Sequence, residues 1–253
     1  MKVFSRMLYS EIIKMKKSNV LLTHLLIPLL GIGVFLGAFA ISSYTDFAKV
    51  VGYMQVVGVV FPAMISIVSA LYIEKESVAG NFINMLIGTK VKVLTFISKM
   101  LVILVLGFLA SILACVGFFI GVKYVFHNNL FSIKFYIIIA CIFLVSSIFS
   151  YIFHLFLNMK YGKSVSISIG ITESFISALL LTNLGHGIWP YIPCTWGSRF
   201  ANYFSVFSNN LKISTSDIRE IHLSIVILII LTVFGFVISN IWFYIWSGRN
   251  SES

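Results

Sequence analysis

The sequence predicts an all-α, polytopic membrane protein with six transmembrane helices and an amphipathic helix at its N-terminus. Of its 253 residues, 59% are hydrophobic and only 10% are charged, whereas a water-soluble domain carries about 25% charged residues. Its mean hydropathy is +1.03. Polar side chains are therefore too few to cover a soluble globule of this length, and the composition fits a chain solvated by a bilayer.

Six apolar runs are long enough to cross a membrane, because a hydrocarbon core of about 30 Å needs about 20 helical residues. No connection between them is long enough to form a soluble domain, so we interpret residues 1–253 as one transmembrane domain. The first run is longer than the apolar region of a signal peptide and predicts an uncleaved anchor. The predicted spans are 20–42, 53–73, 100–122, 135–157, 164–184 and 222–246.

The basic residues predict the orientation of the chain. Placing the N-terminus inside assigns twelve of the 18 Lys and Arg residues to inner loops and six to outer loops. Inner loops of membrane proteins are enriched in Lys and Arg, so we expect a multi-pass protein of the plasma membrane with both termini in the cytoplasm. The net charge of +10 is interpreted in the same way, as basic loops that meet anionic lipid and not as a site for nucleic acid.

Residues 2–17 predict a helix that lies in the inner membrane interface ahead of the first span. Lys and Arg crowd one face of this helix, and an alternative interpretation is simply the basic flank of the span. The opposite face is apolar and contains Val3, Phe4, Met7, Leu8, Ile12 and Met15.

The segment between the second and third spans interrupts the apolar pattern with charge and glycine. Glu74 and Glu76 end the second span, and Gly80 permits a bend. A short apolar face follows, formed by Phe82, Ile83, Leu86 and Ile87; Gly88, Thr89 and Lys90 interrupt it, and Lys92 and Lys99 lead into the third span. Two interpretations fit this pattern: a short helix that inserts into a groove on a partner, or an ordinary inner loop.

The fifth span carries a row of small residues and one carboxylate. Ser166, Gly170, Ser174 and Ala178 recur every four residues, and such a row lets another helix approach closely. Glu173 lies beside it near the middle of the span, where a charged side chain costs about 2.5–3.5 kcal/mol. It can contact a cationic peptide, link to a second subunit or stay protonated inside the bundle. His154 is set aside as its partner because it is predicted closer to the inner surface.

The connection 185–220 is predicted to lie outside the membrane. Trp189, Tyr191 and Trp196 are aromatic residues of the kind that settle at the membrane–water boundary, and Pro190 and Pro193 stiffen the backbone around them. This stretch predicts an aromatic rim that either holds an amphipathic substrate or only anchors the protein.

These segments also resemble a known family. "YIEKESVAGNFINMLIGTKVKVLTFISK" is similar to the ABC-2 superfamily of exporter permeases, in which an acidic residue ends the second span, a Gly follows and a Lys opens the third span. "YIFHLFLNMKYGKSVSISIG" and "SALLLTNLGHGIWPYIPCTWGSRF" resemble lantibiotic-immunity permeases of the G-subunit (MutG) type. The resemblance covers residues 1–250, and "GIWPYIPCTW" is its most specific part.

The resemblance implies a transport subunit. In that family two different permeases and a pair of ATPase chains form an exporter that expels a lantibiotic peptide from the membrane and so gives immunity. ATP and Mg would be bound by the ATPase, and no cofactor by this chain. Residues 74–92 would form the coupling helix that contacts the ATPase. The residues assigned to it are Glu74, Glu76, Gly80, Phe82, Leu86, Lys90 and Lys99; those assigned to the substrate path or subunit interface are Glu173, Ser166, Gly170, Ser174, Trp189, Tyr191 and Trp196.

The sequence predicts no catalytic or metal-binding residues in this chain. "GKS" at 162–164 resembles the end of a phosphate-binding loop, but Leu157 stands where that motif requires Gly, so ATP hydrolysis is assigned to a separate chain. The alternatives are an ABC-2 permease for another lipid or amphiphile, an intramembrane enzyme, or a passive channel. An enzyme would need paired catalytic groups at one depth, and a channel would need repeated polar stripes.

Overall fold

The computed structural model describes residues 2–16, 19–86 and 92–249, and in these ranges the chain is helical with no β-strand. Three single 3₁₀ turns, Asn183–Gly185, Trp189–Tyr191 and Pro193–Thr195, connect two of the helices. The α-helices are α1 Lys2–Lys16, α2 Asn19–Ile41, α3 Asp46–Val78, α4 Ile83–Leu86, α5 Lys92–Val125, α6 Ile133–Lys160, α7 Lys163–Leu180, α8 Trp196–Ser208 and α9 Thr215–Ile245.

Six helices are long and apolar enough to cross a membrane, as predicted: α2, α3, α5, α6, α7 and α9. Helices α3 and α5 extend well beyond the predicted apolar runs because charged and polar residues continue the helix at both ends. Helix α7 ends at Leu180, before the predicted boundary at residue 184. Helix α8 lies in the stretch that the sequence predicted to be an external connection. This stretch is not an external loop, because one face of the amphipathic helix packs inside the bundle.

Helices α3 and α6 form the centre of the bundle, and α2 and α9 lie at its periphery. In the most apolar 18-residue stretch of α3 and of α6, 56% of residues are buried, whereas 11% are buried in the corresponding stretch of α2 and of α9. The outer helices therefore expose apolar side chains over most of their length, as lipid-facing helices do. Helix α2 packs on α5 where Gly117 and Gly121 leave room for the side chains of Ile32 and Leu36.

One end of the bundle gathers the segments that the sequence assigns to the inner side, and we call it the basic end: α1, residues 79–86, the turn at 161–162 and residues 246–249. Contacts between these segments hold it together. Asn81 donates to the carbonyl of Arg249 over 2.9 Å, and Arg249 donates to the carbonyl of Asn158. The connections 42–45, 126–132, 181–195 and 209–214 lie toward the opposite end.

The close packing of α8 on α3 depends on Gly58. A Cβ atom at this position would lie 2.6 Å from both the Cα and the N of Ser198, and backbone atoms cannot move aside as a flexible side chain can. We expect Gly58→Ala to lower the free energy of unfolding by about 1–3 kcal/mol, because the two helices must separate. Denaturant titration of the protein in detergent measures this change.

Gly52 provides the matched control for that substitution. It lies in the same helix, and a Cβ atom there meets no atom within 4 Å. Gly52→Ala should therefore leave stability unchanged or raise it slightly, since Ala favours helix over Gly. Equal loss of stability in both variants would mean that α8 does not pack against α3 at residue 58.

Candidate functional site

A network of charged side chains, three of them buried and the fourth, Lys14, exposed, joins three helices at the basic end. The Lys99 side chain, on α5, is fully buried, and its Nζ donates to Glu11 Oε2 and to Glu76 Oε1, each over 2.7 Å. Lys14 completes the network with contacts of 2.9 Å to Glu11 Oε1 and 2.8 Å to Glu76 Oε1. Two cations therefore balance two carboxylates in a largely dehydrated cluster, where each charge depends on its partners.

Helix α1 enters this network through Glu11. Tyr72 on α3 donates its hydroxyl to Glu11 Oε2 over 2.6 Å, and its ring lies under the ammonium of Lys99. Burial alone would raise the pKa of Glu11, but the charge of Lys99 and hydrogen bonds from Lys99, Tyr72 and Lys14 bring that pKa below its ordinary value. Glu11 is therefore ionised at neutral pH, and α1 is tied to α3 and α5 by charge.

The inward face of α1 differs from the predicted apolar face. Met15 is buried with Glu11, and Leu8 packs against the same core. Val3 and Ile12, assigned to one face with them, remain exposed. The predicted apolar face is therefore divided between the protein core and the exposed surface, because a carboxylate with cationic partners lies on the side that faces the protein.

Residues 79–86 form a tight turn that ends in the one-turn helix α4. Gly80, Asn81 and Phe82 all have positive φ angles, of 127°, 47° and 68°, a conformation that suits glycine and reverses the chain after α3. Phe82 is fully buried and meets the Trp246 ring edge-on, with ring centroids 5.0 Å apart. C-terminal residues thus cover the inner face of this turn.

The residues assigned to ATPase contact are therefore divided between interior and surface. Glu76, Phe82 and Lys99 are buried within the chain and cannot be surface contacts, because the internal ion pairs and aromatic packing take up their side chains. Glu74 is partly exposed and pairs with Lys163, Leu86 is partly buried, and Lys90 lies outside the described residues. Among the described residues of this segment, 74–86 and 92, the large apolar side chains that are exposed are Val78, 82% exposed, and Ile83, 54% exposed.

A second polar cluster lies inside the bundle between α6 and α7. His154 Nε2 is 2.9 Å from Glu173 Oε2, and its Nδ1 is 3.0 Å from the hydroxyl of Ser166. The side-chain amide of Asn158 donates to the same hydroxyl over 2.9 Å. The interpretation that His154 is not the partner of Glu173 is therefore wrong: the short turn at 161–162 sets α6 and α7 side by side, so these positions meet at one depth.

The row of small residues on α7 packs against the same chain. A Cβ atom at Gly170 would lie 2.3 Å from Ser66 Oγ, and Ser174 Oγ accepts from the backbone N–H of Ala63 over 3.1 Å. Ser166 is fully buried. Ser166, Gly170 and Ser174 therefore take part in a close helix contact, as the row of small residues predicted, and that contact lies within this chain and not at an interface with a second subunit. Glu173, with a side chain 20% exposed, lies at the edge of this contact.

The fifth crossing of the bundle is broken in two. Helix α7 runs beside α3 and ends at Leu180, and after a loop α8 continues beside the N-terminal part of α3. The hydroxyl oxygens of Ser177 on α7 and Ser198 on α8 are 3.1 Å apart. The side-chain amide of Gln55 on α3 donates to Asn202 Oδ1 on α8 over 2.8 Å. Together α7 and α8 cover about the length of α3, so one continuous span is replaced by two helices with a loop between them.

Arg199 satisfies the carbonyl groups that this break exposes. Its Nε donates to the Leu180 carbonyl over 2.9 Å and its Nη2 to the Thr182 carbonyl over 2.7 Å. The last carbonyls of a helix have no partner inside the helix and carry partial negative charge. Arg199 is buried, and it passes so close to Gly185 that a Cβ atom there would lie 2.4 Å from Nη2.

The aromatic residues of this loop do not form the predicted surface rim. Trp189 and Trp196 are fully buried; Trp189 donates its indole N–H to Glu220, and Trp196 donates to the Pro190 carbonyl over 3.0 Å. Only Tyr191 of the three assigned residues is exposed. The 3₁₀ turns fold the indole rings inward, where polar partners satisfy their N–H groups.

Comparisons with protein-family models, with curated proteins and with solved structures find no match to this chain. The family resemblance therefore rests on the sequence motifs alone. What the structure adds is the arrangement of the residues within those motifs.

Proposed function

We propose that the chain is the membrane-spanning permease subunit of an ATP-driven ABC-2 exporter that removes lantibiotic-type peptides from the plasma membrane. ATP is hydrolysed by two copies of a separate ATPase, and a second, related permease completes the transport path. In this proposal the basic end faces the cytoplasm and both termini lie there. Membrane lipid surrounds the outer helices, and the chain itself performs no covalent chemistry.

The observation that carries this proposal is the connection between the 79–86 turn and the ion-pair network. The turn presents Val78 and Ile83 at the surface, and it directly follows Glu76, which is bonded to Lys99 and Lys14. A partner that pushes on this turn therefore moves the ends of α1, α3 and α5 together. Such a rigid connection is what a membrane subunit without its own nucleotide site needs.

The assignment to cationic peptides is supported by Glu173. Its carboxylate is anchored on one side by His154 and keeps part of its surface open at the edge of α7. A partly exposed carboxylate within the membrane is an attractive contact for a Lys or Arg side chain that has left water.

One feature favours the alternative that the same kind of subunit exports another amphiphile. An apolar cavity of about 150 Å³ lies between α2, α3, α5 and α6, and it is lined mainly by apolar side chains together with His24, Tyr53, Ser111 and Tyr151. A cavity of this chemistry suits part of an acyl chain. A panel of lantibiotics and lipid-like toxins distinguishes the two substrate classes.

The exporter proposal is tested by producing the chain together with its genetic neighbours and measuring survival against lantibiotics. We expect protection to require an active neighbouring ATPase, and Ile83→Asp to weaken association with that ATPase at least about tenfold. A carboxylate forced into an apolar contact without a partner costs ~2 kcal/mol or more. Co-purification and survival are the two measurements.

Leu184→Asp is the control, because Leu184 is also an exposed apolar residue, 64% exposed, at the opposite end of the bundle. It should leave ATPase association unchanged. Survival that persists when the neighbouring ATPase is inactivated would refute the exporter proposal. Equal association of the Ile83 and Leu184 variants would refute only the docking surface.

A further inference from the structure

Three metal-ligating side chains converge at the opposite end of the bundle, where the loop after α7 meets the first turns of α9. His186 Nδ1 lies 3.8 Å from Asp217 Oδ1 and 3.9 Å from Glu220 Oε2. One ligand atom of each residue lies within 4.8 Å of the other two. The site is open to solvent, since the His186 side chain is 51% exposed.

The Glu220 carboxylate is held in place by the loop that carries His186. The backbone N–H of Gly187 donates to Glu220 Oε1 over 2.9 Å, and the buried indole of Trp189 donates to Glu220 Oε2. Each carboxylate oxygen has room for a second contact after accepting one hydrogen bond. These donors therefore orient the carboxylate without using up its capacity to bind a cation.

The Asp217 carboxylate is held in the same way by two other segments. Tyr203 on α8 donates to Asp217 Oδ1 over 3.0 Å, and the Ser214 hydroxyl, at the N-cap of α9, donates to Asp217 Oδ2 over 2.6 Å. Outer hydrogen bonds of this kind position the ligands in natural metal sites.

We propose that His186, Asp217 and Glu220 bind a divalent transition cation of the Zn²⁺ class. Tetrahedral zinc with bonds of about 2.0–2.2 Å places neighbouring ligand atoms about 3.3–3.5 Å apart. The two separations from His186 Nδ1, 3.8 and 3.9 Å, exceed this spacing by about 0.3–0.6 Å, so the ligand atoms must move closer together to bind the ion. His186 can contribute to this movement because its side chain is half-exposed and Gly187, whose φ angle is 76°, follows it.

The ligand set selects among cations. One imidazole and two carboxylates suit Zn²⁺ and its neighbours in the transition series, whereas Ca²⁺ and Mg²⁺ prefer shells made of oxygen alone. Three protein ligands leave a fourth position for water. A bound cation would fasten the loop at the break of the fifth crossing to the start of the last helix, whatever the transported substrate is.

The proposal is tested by titrating the full-length protein in detergent with zinc sulfate after chelator treatment, using isothermal titration calorimetry. We expect one zinc ion per chain, and binding at least about tenfold weaker in His186→Ala and in Asp217→Asn. Asn retains an oxygen for Tyr203, so this second variant tests the metal contact with the neighbouring hydrogen bond kept. Ca²⁺ and Mg²⁺ should not compete at equal concentration.

His222→Ala is the matched control, because His222 is an exposed histidine on the same helix, α9, outside the three-residue cluster. It should bind zinc as the unmodified protein does, and the thermal unfolding temperatures without zinc show that each variant is folded. Absence of zinc binding in the unmodified protein would overturn the proposal. Undiminished binding in His186→Ala, or the same loss in His222→Ala, would overturn it as well.

Discussion

Lys99→Met is expected to lower the free energy of unfolding by about 3–5 kcal/mol, because it removes a buried cation and leaves two buried carboxylates to share Lys14. Lys99 is fully buried and contacts Glu11 and Glu76 directly. The loss should first release α1, which enters the network through Glu11. Chemical denaturation in detergent measures the stability, and limited proteolysis of the N-terminal segment measures the release of α1.

Two further variants separate the ion-pair effect from the loss of a long side chain. Lys134→Met removes an exposed Lys at the start of α6 and should change stability by less than about 0.5 kcal/mol. In the double variant Glu76→Gln with Lys99→Met, Glu11 and Lys14 remain as a balanced pair. This double variant should recover part of the stability that Lys99→Met loses; no recovery would mean that charge balance is not what holds the network.

Arg199→Met is expected to destabilise the protein by at least about 3 kcal/mol. It removes three hydrogen bonds from a charged donor, each worth about 1.5–3 kcal/mol, and leaves the carbonyls of Leu180 and Thr182 without that partner. The stability of Arg199→Lys should fall between that of the unmodified protein and that of Arg199→Met, since an ammonium cannot reproduce the planar fork of a guanidinium. Thermal unfolding of the purified protein measures the order of the three.

Arg219→Met is the control for this series, because Arg219 is an exposed Arg on α9. Its replacement should change stability by less than about 0.5 kcal/mol. A similar small effect of Arg199→Met would show that the end of α7 is satisfied without the guanidinium, and the account of the broken crossing would then be wrong.

Hydropathy alone predicted the six long helices, because the length and composition of a span are set by the thickness of the bilayer. It did not predict α8. Residues 196–208 contain Arg, Asn and Ser, and their low hydropathy predicts an external connection. In the structure, however, Ser198 and Ser205 are buried where the helix packs on its neighbours. Helix packing in a bundle favours small and weakly polar residues, which hydropathy does not distinguish from exposed ones.

The sequence pattern also did not predict which polar side chains contact one another. The sequence pattern gave no reason to single out Glu11, because a lone carboxylate in a basic helix is normally solvated, and only the positions of Lys99 and Tyr72 reveal its burial. The pairing of His154 with Glu173 depends on the relative rotation of α6 and α7. Long-range contacts of this kind are set by helix register, which periodicity along one chain does not determine.

The low apolar content of α7 bears on how the chain enters the membrane during synthesis. Its most apolar window has a hydropathy of 1.2, against 2.2–2.9 for the other five long helices, and it carries Glu173. A segment so weakly favoured by lipid partitions poorly as a single rod. We therefore expect α7 to insert together with α6 as a hairpin, with the Glu173 carboxylate already shielded by the His154 imidazole across the turn, so that insertion depends on this polar pair as well as on the apolar length of the helix.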